Sequence, residues 1–264
     1  MKNKKLYLFD IDGTLILGNQ PIEGAKEKLE EIKKAGKKFM LFTNNSSRTR
    51  KEYVEKFKKM GMNIAEDEII TAGYTLGKYL TADKKTPVVY VVGTESFKKL
   101  LRDMGITVVE KPEKHNGRYQ IDYVIAGLDS ELNYEKIKTA CELLMQKDIG
   151  YLAANPDLVY PVEGGVFLPD CGAICKMLEY AVKRVPRYFG KPYSEILDYS
   201  LEMAGVSKDE TVIIGDRLYT DIACGCDNGC DTILVLTGEA SKAEGEAESC
   251  QPGLILNSVR DIEI

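Results

Sequence analysis

The chain has 264 residues, 44% hydrophobic and 29% charged, with a net charge of −5, which is enough apolar content for one large or two modest domains. The acidic balance argues against a nucleic-acid partner, which usually shows as a basic excess. No apolar run approaches the roughly 18 residues of a membrane span. The stretch after Lys2, Lys4 and Lys5 is cut by Asp10, too short for a signal peptide, so a cytoplasmic protein with no membrane partner is expected.

Leu6 to Phe9 is a short apolar run of the kind a doubly covered parallel strand needs. It leads into Asp10 and Asp12, spaced i, i+2, with Gly13 and Thr14 after them. On an extended backbone that spacing points both carboxylates the same way, at a strand's carboxyl end where open α/β sheets bind ligands. Two bare carboxylates repel, and a hard cation such as Mg²⁺, which prefers oxygen ligands, relieves them. The alternative is a plain turn, since Asp-Gly is a common turn pair.

Further along, Ile22 to Ala35 carries Ala25, Leu29, Ile32 and Ala35 on one helical face. Lys38 to Phe42 reads as a second strand running into Thr43, Asn44 and Asn45. Ser46 and Ser47 are N-cap candidates for a helix with Tyr53, Val54, Phe57 and Met60 on its apolar face. Ile69 to Thr71 reads as a short strand and Tyr74 to Leu80 as a helix. The polar segment Thr81 to Pro87 suits a domain boundary.

From Val88 the alternation restarts. Strands are expected at Val88–Val92, Ile106–Val109, Tyr119–Ala126 and Tyr151–Ala153, with helices at Glu95–Met104, Tyr134–Met145 and Ala173–Lys183 and a loop at Gly164-Gly165. The last third returns to the first pattern. A helix at Ser194–Ala204 follows Lys191-Pro192, and the strand Thr211–Ile214 runs into Gly215 and Asp216. A helix from Asp221 to Cys226 and strands at Thr232–Leu236 and Leu254–Leu256 complete the chain. The expected fold is α/β: a Rossmann-like, doubly wound parallel sheet from 1–80 and 185–264, with an inserted α/β domain over 81–184.

Seven cysteines, an odd number, do not read as a disulfide framework. Cys224, Cys226 and Cys230 cluster without a Cys-x-x-Cys pair, far from His115, the single histidine, and are expected to pack as small buried thiols.

Three apolar runs thus end in polar groups: Asp10 and Asp12; Thr43 and Asn44; Asp216 with Asp221 nearby. Parallel strands would gather them along one sheet edge, with Lys191 the basic candidate to join them. Acids, a hydroxyl and a lysine suit a phosphoryl group bridged by a divalent ion, where catalysis is mostly positioning and charge stabilisation.

In their order, Asp10-Ile11-Asp12-Gly13-Thr14-Leu15, Thr43-Asn44-Asn45, Lys191, and Gly215-Asp216 through Asp221 resemble the four motifs of the haloacid dehalogenase superfamily. The insert between the second and third, with Asn155-Pro156-Asp157 inside it, is similar to the NagD-like and 4-nitrophenyl phosphatase branch. The resemblance implies a cap domain and a Mg²⁺-dependent phosphatase working through an aspartyl-phosphate. Asp10 would be the nucleophile and Asp12 the acid/base, its carbonyl also serving the metal. Asp10, Asp12, Asp216 and Asp221 would form the metal set. Thr43, Asn44, Asn45 and Lys191 would bind the phosphoryl group, and Asn155 and Asp157 of the cap would face the substrate and help select it. Two departures fall in the insert, Ala154 where the branch often has threonine and Pro169-Asp170-Cys171-Gly172 in place of a Pro-Gly-x-Gly-like turn.

The expected partner is a small phosphomonoester such as a sugar phosphate or nucleoside monophosphate, and the resemblance also allows a homodimer. No cysteine has an arginine six positions later and no Gly-x-Ser-x-Gly occurs, so thiolate and serine hydrolase chemistries lack support. A phosphotransferase or mutase on the same scaffold is the nearest alternative, and a non-catalytic phosphoryl-binding module a more distant one.

Overall fold

The computed structural model describes residues 3–83, 86–162 and 166–264. The chain forms two compact units, one made of residues 1–43, 50–70 and 191–264, the other of 44–49 and 71–190.

The first unit is built on a six-stranded sheet in the order Leu254–Leu256, Asp231–Val235, Thr211–Gly215, Leu6–Phe9, Lys38–Thr43, Ile69–Thr71. Leu6–Phe9 pairs in parallel with Thr211–Gly215 on one side and Lys38–Thr43 on the other. Leu6, Tyr7, Leu8 and Phe9 are all fully buried, so both faces of the sheet are covered and the unbroken apolar run is explained. Tyr7, Phe9, Leu41, Val212 and Ile214 pack on one face against Leu29 and Ile32 of the helix Ala25–Lys34, and against Tyr53 and Phe57 of the helix Arg50–Lys59.

The second unit has its own five-stranded parallel sheet, ordered Arg187–Tyr188, Gly150–Ala153, Tyr123–Ala126, Val88–Val92, Thr107–Val108. Alternate residues feed two cores. Tyr90, Val92, Val124 and Ala126 meet Leu143 of the helix Tyr134–Leu144 and Leu178 of the helix Cys171–Val182. Val89, Val91 and Ile125 meet Phe97 and Leu101 of the helix Glu95–Asp103. This period-two division is what a sheet covered on both faces requires.

The unit boundary falls earlier than the polar segment 81–87 suggested. The helix Ala72–Asp83 buries Ala72, Leu76 and Leu80 in the Phe97 core, so it belongs with the second unit. At the far end, Arg187–Tyr188 adds an edge strand and Phe189 is buried in the same core, which carries this unit on to Gly190. Gly164-Gly165 lies outside the described residues.

Ser46 and Ser47 do not cap the following helix, which begins at Arg50. Ser46 Oγ accepts from Leu128 N–H at 3.0 Å, and Ser47 N–H and Oγ donate to Asn45 Oδ1 at 2.9 and 2.7 Å. The expected strand Tyr119–Ala126 is broken, because Arg118–Tyr119 pairs antiparallel with Lys114–His115 in a separate hairpin. Cys224 and Cys230 are buried thiols, but Cys226 forms a disulfide with Cys250, their Cα atoms 6.2 Å apart. The turn after the helix Lys242–Ala247 brings Cys250 against the helix Ala223–Asn228. Among the described residues no helix is long and apolar enough to cross a membrane.

Candidate active site

In the first unit, Asp10 follows Leu6–Phe9, and its N–H continues the ladder by donating to Ile214 O at 2.8 Å. The chain then turns sharply, with Leu15 N–H and Ile16 N–H both donating to Ile11 O. Gly13 sits in this turn at φ 93°, and a Cβ there would lie 2.6 Å from the Asp216 Cγ. Only glycine combines that backbone angle with so close an approach of a carboxylate.

Asp216 follows the neighbouring strand Thr211–Gly215 and is 2% exposed. Its Oδ2 accepts from Glu239 N–H at 2.8 Å and its Oδ1 from Thr14 Oγ at 3.3 Å. Asp221 comes from a π-helical turn, Leu218–Ile222, in which Ile222 N–H reaches back to Arg217 O at 3.2 Å. Such turns are wider than α-helical ones and recur at functional sites. This one places Asp221 under Gly215, where a side chain would collide with the Asp221 carboxylate.

Lys191 is 1% exposed, and its ammonium has three acceptors: Asp10 Oδ1 at 2.6 Å, Asp221 Oδ1 at 2.6 Å and Phe42 O at 2.9 Å. An ammonium carries three N–H donors, so a charge that burial would otherwise penalise is fully hydrogen-bonded. Burial pushes its pKa down, but Asp10 and Asp221 outweigh burial and hold it above the ordinary lysine range. Asp221 also accepts from Arg217 N–H at 3.1 Å through its other oxygen.

One carboxylate oxygen each from Asp10, Asp216 and Asp221 lies within 4.8 Å of the others, which suits a single cation. Burial, then Asp10 and Asp221, raise the Asp216 pKa to about 7, against the opposing Glu239 N–H. Burial also raises that of Asp221, with Lys191 opposing it. Carboxylates forced toward protonation by their neighbours fit a divalent ion with oxygen preference, because its charge removes the repulsion.

The structure therefore brings Asp10, Asp216, Asp221 and Lys191 together, and Thr43 ends the strand beside that of Asp10. Asp12 is not among the three clustered acids, and its carboxylate lies 3.9 Å from Lys56 Nζ. Lys56 and the Glu239 N–H were missed in the sequence, where nothing distinguishes them from ordinary helix and loop positions, and Thr14 stood out only as part of the first motif.

In the second unit, Asn44, Asn155 and Asp157 meet one another. Asn155 Nδ2 donates to Asn44 O at 2.7 Å, and Asn44 Nδ2 donates to both Asp157 oxygens at 3.1 and 3.2 Å. All three are buried. Asn155 and Asp157 were expected to reach toward substrate. Their side chains engage the second motif itself.

Residues 7–107 match a model described as haloacid dehalogenase-like hydrolase, and residues 188–262 one described as HAD-hydrolase-like. The acid sugar phosphatase of Staphylococcus haemolyticus is 33% identical over 96% of this chain and 92% of its own length. The 5'-nucleotidase YutF of Bacillus subtilis is 30% identical over 99% and 98%. Among solved structures, the 4-nitrophenylphosphatase of Thermotoga maritima superposes with a TM-score of 0.91 at 33% identity, over 98% of this chain and 95% of that one. NagD of E. coli gives 0.87 at 30%, over 98% of each.

The chain belongs to the haloacid dehalogenase-like hydrolases. Within them it is a phosphatase of the NagD-like kind, an α/β core carrying an inserted α/β cap.

Proposed function

We propose that the chain is a Mg²⁺-dependent phosphatase of small phosphomonoesters, working through an aspartyl-phosphate on Asp10. The observation that carries this reading is the Lys191 ammonium, shared at 2.6 Å between Asp10 and Asp221 inside a cluster of three acids. The ammonium orients the Asp10 carboxylate and offsets charge that would otherwise repel an incoming dianion.

Asp10 and Asp216, with the Asp12 backbone carbonyl, would hold the cation, and Asp221 stands behind them as Lys191's partner. When bound, Mg²⁺ supplies positive charge to the phosphoryl oxygens. Thr43 ends the strand next to that of Asp10, and its hydroxyl, with the N–H of Asn44 and with Asn45, which follow it in the chain, would take the phosphoryl oxygens.

Asp10 attacks phosphorus as the ester P–O bond breaks, and Asp12 gives its proton to the departing alkoxide. Asp12 then takes a proton from water, which attacks phosphorus and frees the Asp10 carboxylate. One acid/base thus serves both displacements. The demand is large, since phosphate monoesters are among the slowest substrates uncatalysed, with enhancements reaching ~10²¹.

Sugar phosphates and nucleoside monophosphates are the proposed substrates, supported by what the similar phosphatases are named for. A panel of phosphorylated metabolites assayed with and without Mg²⁺ tests this. Release of inorganic phosphate that needs Mg²⁺ and is lost in Asp10→Asn is expected. Transfer of the phosphoryl group to a sugar hydroxyl, or turnover by Asp10→Asn, would refute it.

A further inference from the structure

Asn44 is gripped twice by one loop of the second unit. Asn155 Nδ2 donates to its carbonyl at 2.7 Å, and its own amide donates to both oxygens of Asp157. Asp157 N–H closes the ring by donating to Asn155 Oδ1 at 3.0 Å. Asn155 is 0%, Asp157 5% and Asn44 6% exposed. The third side is bare backbone: a Cβ on Gly190 would lie 2.5 Å from Asn44 Oδ1 and 3.0 Å from Ala154 O. The rest of the turn is tied to the same unit, since Leu128 N–H donates to Ser46 Oγ and Thr94 Oγ to Ser47 O at 2.9 Å.

A residue that chooses among substrates must leave a polar atom for the ligand. Both polar atoms of the Asn155 amide are engaged, and both Asp157 oxygens face the Asn44 amide. Buried polar groups that hydrogen-bond one another fix a unique geometry. Here the geometry fixed is the plane of the Asn44 residue, held at carbonyl and side chain together.

We propose that Asn155 and Asp157 are positioning residues, which fix Asn44 so that its backbone N–H is aimed at the transferring phosphoryl group, and that they do not select the substrate's alcohol. The proposal rests on the reading of Thr43 and Asn44 as the phosphoryl cradle. A donor aimed at the phosphoryl group acts on what every phosphomonoester has in common. Loss of the grip therefore lowers turnover of all of them alike and weakens inorganic phosphate as an inhibitor, whereas loss of a selecting contact changes the ratio between substrates.

Asp157→Ala, Asn155→Ala and the isosteric Asp157→Asn test this with 4-nitrophenyl phosphate, a hexose phosphate and a nucleoside monophosphate, alongside inhibition by inorganic phosphate. Displacing a positioned group by an ångström costs up to about 100-fold, so the alanine variants should lose about 10- to 100-fold in kcat/KM on every substrate by a common factor, and inhibition by phosphate should weaken about tenfold. Asp157→Asn keeps an acceptor for the Asn44 amide and should recover most of the activity, which also guards against an alanine variant that fails to fold. Ratios between substrates that move by about tenfold, or variants that keep wild-type kcat and phosphate inhibition, would overturn the proposal. Asp10→Asn in the same assay separates the two claims. If it stays active, the phosphatase mechanism itself falls; if it is dead while Asp157→Ala is not impaired, only the positioning role falls.

Discussion

Lys191 Nζ stands 2.6 Å from Asp221 Oδ1, the same distance at which it meets Asp10 Oδ1, although Asp221 is fully buried and Asp10 keeps part of its carboxylate exposed. The ammonium is therefore held from behind by a residue that water does not reach. Its other partner, Asp10, is the one that stays partly accessible.

Replacing one member of a buried ion pair leaves the rest uncompensated, which costs about 3–5 kcal/mol. Lys191→Met should lower the unfolding free energy of the metal-free protein by that order in a denaturant titration. Its kcat should fall at least ~100-fold through loss of charge stabilisation. Adding Asp221→Leu to Lys191→Met should return much of the stability and none of the activity. Equal stability of the single and double variants would contradict the pairing.

Asp216 gives a pH dependence with a definite sign. Its pKa is raised by burial, Asp10 and Asp221 from 3.8 to about 7, so the folded metal-free protein holds a proton that the unfolded chain releases. Its contribution to stability is complete below pH 3.8 and is lost as pH rises through about 7. A cation must displace that proton, so apparent Mg²⁺ affinity should fall by about tenfold per pH unit below the pKa and level off above it. Calorimetric titration across pH 5.5 to 8.5, about 1.5 units either side, reads this directly, and the rise in Tm on adding Mg²⁺ should grow over the same window. Affinity independent of pH would contradict the assignment of Asp216.

The Cys226–Cys250 disulfide joins positions 24 residues apart. Closing a loop of that length in the unfolded chain is worth about 3 kcal/mol in the chain-entropy model. Cys250→Ser should lower stability by about that amount and leave kcat unchanged well below Tm, since neither cysteine belongs to the acid cluster. A fall in kcat at low temperature would tie the disulfide to the site.

How much of this was legible in the sequence follows the range of the interactions involved. The strand Leu6–Phe9 with Asp10 behind it could be read directly, because a fully buried parallel strand is apolar at every position. The two-residue strands at Ile16–Leu17 and Gln20–Pro21 are too short for any period to register. Asp221 could be named as an acid near Asp216. Its grip on Lys191, 30 residues away, depends on a π-helical turn with no sequence signature. Cys226 and Cys250 gave no spacing signal. Asn155 and Asp157 were singled out in the sequence, but their contact with Asn44 spans 111 and 113 residues and only the fold reveals it. The helix Ala72–Asp83 is hard to assign from sequence because its polar end resembles a linker, while Leu76 and Leu80 pack in the Phe97 core.

The central claim is that Asp10 carries the phosphoryl group. Quenching the enzyme in acid during turnover of 4-nitrophenyl phosphate with Mg²⁺, reducing with borohydride and sequencing peptides by mass spectrometry tests it most directly, since an acyl phosphate is reduced to the alcohol. The account predicts homoserine at position 10, dependent on substrate and Mg²⁺ and absent in Asp10→Asn. Steady turnover with position 10 always recovered as unmodified aspartate, or the reduced residue found elsewhere, would contradict it.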